Sequence, residues 1–128
     1  MKRRWPIRMR AAGWAVMCLL LATAQALAHH SFGAEYDGTK PFKLNGVITG
    51  IRWTSPHSYF YMDVKDQNGA TVNWKFEGYG PTVLNRIGWK RTETMLAGDA
   101  VAVTGWLARD GTPWGQARLV TFANRTSS

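Results

Sequence analysis

The stretch HSYFYMDVKDQNGATVNWKFE, residues 57–77, decides the fold of this chain. Its first part alternates apolar and polar side chains, with Phe60, Met62 and Val64 on one face, and its last part alternates in the same way. Such alternation is typical of β-strands that bury one face. Between the two parts lies Asp-Gln-Asn-Gly, and a turn of this composition between alternating segments predicts a β-hairpin. The stretch therefore predicts two antiparallel neighbouring strands.

One strand is predicted before this hairpin, and a helix and two strands after it. The first strand is rich in β-branched residues, and Gly46 and Gly50 mark places where it can bend sharply. The helix is indicated by Pro81 in its first turn and Gly88 just past its end. The predicted elements are strand, strand, strand, helix, strand and strand, at residues 43–53, 57–64, 71–77, 80–88, 100–107 and 114–122.

This order of elements matches the OB-fold, a small Greek-key barrel. We therefore predict an all-β chain with a small α element: a five-stranded OB-like Greek-key barrel over residues 42–123, with a short helix between strands 3 and 4. The main alternative is an open five-stranded β-meander with the helix packed on one side. Residues 124–128 are expected to form a frayed tail.

The first 28 residues are typical of a bacterial signal peptide. Five basic residues precede an apolar run over residues 11–21, and Ala26-Leu27-Ala28 offers the small side chains that signal peptidase recognises. We expect cleavage after Ala28 and a periplasmic or secreted protein. The alternative is an N-terminal membrane anchor, which is disfavoured because a spanning helix needs about 20 apolar residues. No stable membrane anchor is therefore expected after processing.

Cleavage would change the charge of the protein. The full chain carries a net charge of +8, but removing the five basic leader residues leaves eleven basic against eight acidic residues, a net charge of +3. These charges are scattered, so we expect no nucleic-acid partner. Cys18, the single cysteine, lies in the leader. Its removal excludes disulfides, thiolate metal sites and cysteine nucleophiles.

The three histidines are placed at the cleavage site and in one loop. Cleavage after Ala28 would make His29 the first residue, and its free α-amine and imidazole are nitrogen ligands that suit copper. With His57 as a third nitrogen, this is the T-shaped histidine brace of secreted copper proteins. We therefore predict a copper site at His29 and His57, with His30 as an alternate ligand and Glu77 as a neighbour. Residues 29–41, read as an extended arm of about 40 Å, would have to run back along a first strand of about 36 Å.

A different class of function is also open. Trp53, Tyr59 and Tyr61 could form an aromatic face through which a protein-interaction or envelope-assembly module docks, without any metal. The chain offers no Ser-His-Asp order, paired-carboxylate signature or phosphate-binding glycine loop. We therefore expect a ligand-binding or accessory protein without catalytic turnover, whose partner is an exported redox enzyme or an envelope protein.

Four motifs carry a resemblance to a known family. They are His29-His30-Ser31-Phe32-Gly33-Ala34-Glu35-Tyr36-Asp37, Trp53-Thr54-Ser55-Pro56-His57, Trp74-Lys75-Phe76-Glu77 and Gly98-Asp99-Ala100-Val101. Over nearly the whole mature part, the chain resembles the small exported bacterial proteins of domain-of-unknown-function family 6152. Their pattern has a His-His-Ser-Phe start, a Trp-x-Asn-Pro-His loop and a Trp-x-x-Glu strand end, and Ser55 departs from it where asparagine is usual. The resemblance implies export and the extent of the domain, but no reaction.

Overall fold

The computed structural model describes residues 32–123 of the 128-residue chain. The chain divides into two compact units, residues 1–34 and residues 35–128. Of the first unit, only residues 32–34 are described, and they are helical. Within the described residues, none of the helices combines the length and apolar character that a membrane crossing requires.

The second unit is a closed five-stranded barrel. Its elements are β1 (Tyr36–Arg52), β2 (Tyr59–Lys65), β3 (Thr71–Glu77), α1 (Pro81–Arg86), β4 (Ala100–Ala108) and β5 (Trp114–Phe122). The strands follow each other around the barrel as β1-β2-β3-β5-β4, and β4 returns to β1. Only the β3–β5 pair is parallel. This confirms the predicted OB-like barrel with a helix between strands 3 and 4, and the open meander is wrong.

The barrel interior holds the apolar residues that the alternation predicted. Phe60, Met62 and Val64 of β2 are all buried, as are Phe76 of β3 and Val103 of β4. The rings of Phe60 and Phe76 stack with centroids 5.1 Å apart. Full burial of one such side chain stabilises the fold by about 1.5–3 kcal/mol, so this cluster anchors the five strands around one core.

The β2–β3 hairpin has the predicted turn. Oδ1 of Asp66 accepts hydrogen bonds from the backbone N–H groups of Asn68 and Ala70, at 2.8 and 2.9 Å. Gly69 has φ of +80°, a conformation that residues with a side chain rarely adopt. The resulting register places Tyr59 directly opposite Glu77 at the far end of the hairpin.

The start of the barrel differs from the predicted arm over residues 29–41. Residues 32–35 are helical, and β1 begins at Tyr36, which pairs with Ala108 of β4. The ladder then bulges before Pro41 pairs with Trp106. Oδ1 of Asp37 accepts hydrogen bonds from both the backbone N–H and the hydroxyl of Thr39, at 3.0 and 2.7 Å. The Asp-Gly-Thr segment is thus a bulge inside a strand, where we predicted an extended arm.

The parallel ladder between β3 and β5 is the shortest in the barrel. It spans three residue pairs, from Lys75 opposite Trp114 to Glu77 opposite Gln116. After Glu77 the chain leaves the wall toward α1, whereas β5 continues to Phe122. This short ladder places Glu77 at the end of a strand, beside the loop that leads into β2.

Candidate functional site

His57 and Glu77 lie together at one end of the β2–β3 hairpin. Nδ1 of the His57 imidazole is 3.3 Å from Oε1 of Glu77. The Glu77 residue is only 8% exposed, whereas the side chain of His57 is 49% exposed. Glu77 therefore holds one ring nitrogen of His57 from the protein side, and within residues 32–123 no polar partner is found for the other nitrogen, Nε2.

Tyr36 fixes the second oxygen of Glu77. Its buried hydroxyl donates a hydrogen bond of 2.5 Å to Oε2 of Glu77. Burial raises the pKa of Tyr36 well above its usual range, and the hydrogen bond to Glu77 acts in the same direction. Tyr36 therefore stays a hydrogen-bond donor at every physiological pH, and both oxygens of Glu77 have fixed roles.

The loop that carries His57 is held by hydrogen bonds to its neighbours. Thr54 donates its hydroxyl to the carbonyl oxygen of His57 at 2.7 Å, and the Ser55–Pro56 peptide bond is cis. The backbone N–H of Gly78 donates to the carbonyl of Ser58 at 2.9 Å. These contacts connect the His57 loop to the segment that directly follows Glu77.

Gly80 permits the close approach of these two segments. A Cβ atom at this position would collide with the carbonyl oxygen of Pro56, so any other residue would push the two segments apart. The same residue immediately precedes α1, which begins with Pro81. The helix start and the placement of His57 thus depend on the same glycine.

The side-chain amine of Lys75 lies over two aromatic rings beside this site. Nζ of Lys75 is 4.4 Å from the ring centroid of Tyr59 and 4.6 Å from that of Trp114. The rings of Tyr36 and Trp114 pack edge to face, with their centroids 5.9 Å apart. Burial raises the pKa of Tyr59, and the negative charges of Glu77 and Glu35 add to this. The surface around Glu77 therefore combines carboxylates, aromatic rings and one amine.

The structure brings some of the predicted site residues together. His57 and Glu77 are in contact, as the metal hypothesis requires, whereas His29 and His30 lie outside the described residues. Within residues 32–123, no three His, Cys, Asp or Glu side chains are grouped as a metal site would need. The copper site predicted from the sequence would take its other two nitrogen ligands from His29, namely the α-amine and the imidazole.

The three aromatic residues of the alternative face are only partly exposed. Trp53 and Tyr59 border the same cavity, and Tyr59 carries Lys75 on its ring. Tyr61 is half-buried and stands opposite Lys75 in the β2–β3 register.

Two contributors, Tyr36 and Lys75, were not among the predicted site residues. Both belong to the family motifs quoted above. Their positions in those motifs were the available signal.

Comparison with known proteins identifies a family. The model of the Family of unknown function (DUF6152) matches residues 15–117. No curated protein matches the chain in sequence.

Solved structures are similar to this chain at low sequence identity. Rim1, a mitochondrial single-stranded DNA binding protein from S. cerevisiae, is 14% identical, with a TM-score of 0.51, and the match covers 66% of this chain and 93% of Rim1. The N-terminal domain of PriB from Thermoanaerobacter tencongensis is 13% identical, with a TM-score of 0.46, covering 68% of this chain and 99% of that domain. The likeness to Rim1 shows the fold and nothing about the ligand.

Proposed function

The chain belongs to the family of unknown function DUF6152, and we propose that it is an exported bacterial protein that binds copper through its processed N-terminus and His57. The observation that carries this proposal is the contact of 3.3 Å between Nδ1 of His57 and Oε1 of Glu77. Metal-binding histidines typically donate one ring N–H to a carboxylate, which sets the tautomer and makes the other nitrogen a better ligand. His57 has such a carboxylate, and its Nε2 remains for a metal ion.

The surroundings of Glu77 support the same role. A carboxylate that is 8% exposed and hydrogen-bonded by Tyr36 can hold the imidazole in one orientation. The charge on Glu77 also favours a cation nearby. Copper is the metal of choice because nitrogen ligands bind it most tightly among the divalent first-row metals.

The position of Tyr36 supports a shorter path for the N-terminus than the predicted arm. The sequence suggested that residues 29–41 must run back along the first strand, but β1 itself begins at Tyr36, whose hydroxyl contacts Glu77. His29 is seven residues upstream, and seven extended residues reach at most about 25 Å. Residues 32–35 are helical and span about 1.5 Å each. The copper site that we propose needs His29 to reach His57 over this short length of chain.

The protein would then act as a metal carrier or as an accessory to an exported redox enzyme, without turnover of its own. The residues around His57 support binding: they orient an imidazole and a carboxylate. We expect no nucleic-acid partner, because the chain without its leader carries only +3. Fluorescence titration with oligo(dT) should show no binding at physiological salt.

Titration with Cu(II) tests the proposal. The full chain is expressed with its own leader in a bacterium, and intact mass establishes that the purified protein begins at His29. Copper binding is followed by calorimetry and electron paramagnetic resonance. One variant carries four extra residues, Ser-Gly-Ser-Gly, between Ala28 and His29, so that neither His29 nor His30 lies within the first three residues, and its mass is verified. A second variant is His57→Gln. Each should bind Cu(II) at least about tenfold more weakly and show hyperfine coupling to fewer nitrogen atoms.

Glu93→Gln is the matched control, since this exposed carboxylate pairs with Lys90 at 3.1 Å, outside the His57 site. It should leave copper affinity unchanged. Unchanged affinity in both the extended protein and the His57 variant would overturn the copper proposal. Docking through Trp53, Tyr59 and Tyr61 would then be the better explanation.

A further inference from the structure

A cavity of about 190 Å³ lies beside the candidate site, and Ser58 and Gly78 are among the residues that line it. It is bordered by the end of β1, the start of β2, the second half of β5, and α1 with the segment after it. Its apolar walls are formed by side chains from all these elements. They include Ile51, Phe60, Leu84, Ile87, Met95 and Val120.

The barrel topology explains why this space exists. The β3–β5 ladder ends at Glu77 and Gln116, and from there β5 has no strand on that side. Leu84 of α1 and Met95 of the following segment are buried and cover the gap. Because a helix and a loop cannot fill a strand's place in the ladder, they leave a pocket between themselves and β5.

Two buried polar atoms at this cavity have no partner. Ser58 is only 5% exposed, and within the described residues neither its hydroxyl nor Nε1 of Trp53 forms a hydrogen bond. Both residues line the cavity. Buried polar groups are nearly always hydrogen-bonded in native proteins, so an unpaired indole N–H and hydroxyl, on two residues that border the same cavity, point to an acceptor supplied from outside the chain.

One basic residue borders the same cavity. Arg118 is an exposed residue of β5 that borders it. Its guanidinium lies over the ring of Trp106, 4.9 Å from the centroid. No carboxylate within residues 32–123 forms an ion pair with Arg118. A planar guanidinium held on a ring is suited to a carboxylate, because its N–H groups can donate two parallel hydrogen bonds.

We propose that this cavity binds a small apolar organic acid, with the apolar body between α1 and β5 and the carboxylate toward Arg118, Ser58 and Trp53. The volume sets the size of the ligand. An apolar cavity of about 150 Å³ can hold one benzene ring, so a single ring or a short branched chain fits here. The site uses none of the proposed copper ligands and binds its ligand whether or not metal is present.

Benzoate and benzyl alcohol are the probes for this site, because they share a ring and differ in charge. Each is titrated into the ¹⁵N-labelled protein, expressed with its own leader and purified as the host processes it, and followed by NMR. Benzoate should give saturable shifts at the cavity residues, including the indole N–H of Trp53. Arg118→Gln should weaken benzoate binding about fivefold and leave benzyl alcohol unaffected.

Two further variants separate the cavity from the rim charge. Arg91→Gln removes an exposed arginine that does not border the cavity and should change neither titration. Ala117→Leu enlarges a side chain on the cavity wall and should weaken both probes. Amide spectra of each variant establish that it is folded.

Three results would overturn the proposal. They are the absence of saturable shifts at the cavity, equal affinity for benzoate and benzyl alcohol, and an Arg118 variant that binds benzoate as the parent protein does.

Discussion

The hydroxyl of Tyr36 and Oε2 of Glu77 are joined by a hydrogen bond of 2.5 Å, although 41 residues separate them in the chain. Tyr36 is the first residue of β1 and Glu77 the last residue of β3. The bond therefore connects the entry of the chain into the barrel with the end of the central hairpin. Since Glu77 also contacts His57, one buried carboxylate couples the stability of the barrel to the orientation of the imidazole.

Tyr36→Phe should destabilise the protein by about 1.5–3 kcal/mol, because it leaves a buried charged oxygen without its donor. Urea unfolding followed by tryptophan fluorescence measures this change. Tyr79→Phe is the matched control, since Tyr79 is 54% exposed, and it should stay within about 0.5 kcal/mol of the parent protein. Equal effects of the two variants would show that the hydroxyl of Tyr36 does not stabilise the fold.

Alkaline pH should remove part of this stability. The folded state raises the pKa of Tyr36, whereas the unfolded chain ionises this tyrosine near about pH 10. The contribution is therefore fully present below about pH 10 and is lost as pH rises further, by at most about 1.4 kcal/mol per pH unit. The difference in unfolding free energy between the parent protein and Tyr36→Phe should shrink above pH 10. A difference that is constant up to pH 11 would contradict the raised pKa.

Gly80→Ala should disturb both the fold and the site. Its Cβ would collide with the carbonyl oxygen of Pro56, so the loop that carries His57 must move, at a cost of about 1–3 kcal/mol. Copper affinity should fall as well, because His57 then leaves Glu77. Gly78→Ala is a close control, since its Cβ would lie 3.8 Å from the carbonyl oxygen of Ser58, an ordinary contact. We expect that variant to unfold at nearly the parent urea concentration, and similar losses in both would refute the close approach at Gly80.

Ser58→Ala should stabilise the ligand-free protein by about 1 kcal/mol, because it removes a buried hydroxyl that has no partner. The same variant should bind benzoate more weakly. Thermal unfolding with and without benzoate measures both effects, and Ser55→Ala, at an exposed position, provides the control. A clear loss of stability without ligand would mean that the hydroxyl is already satisfied.

The alternation of apolar residues was sufficient to predict most of the barrel. The predicted bounds of β3 and β5 agree with the structure, because a turn with a glycine at positive φ, Gly69 or Gly111, precedes each strand. The start of β1 was not predicted. Gly38 and Pro41 interrupt the alternation there, and only the pairing with β4 shows that the irregular residues form a bulge.

The candidate site, too, could be predicted from the sequence only in part. His57 and Glu77 could be named from the sequence because histidine is rare in this chain and Glu77 ends an alternating strand. Tyr36 could not, because its role depends on a strand that begins earlier than the pattern indicates. The cavity could not be predicted either, since it results from the length of the β3–β5 ladder. Such pairing between distant strands leaves no trace in local periodicity.

The short parallel ladder also bears on how the barrel opens. Closing β3 against β5 brings together segments on either side of α1 for only three residue pairs, so a large loss of chain entropy is offset by few hydrogen bonds. Local unfolding should therefore begin at this seam, and the amides of Lys75 and Gln116 should exchange with deuterium sooner than those in the middle of the β1–β4 ladder. The seam ends at Glu77 and Gln116, next to Gly78 and Ala117 of the cavity lining, so its brief opening would widen the cavity that a small acid enters.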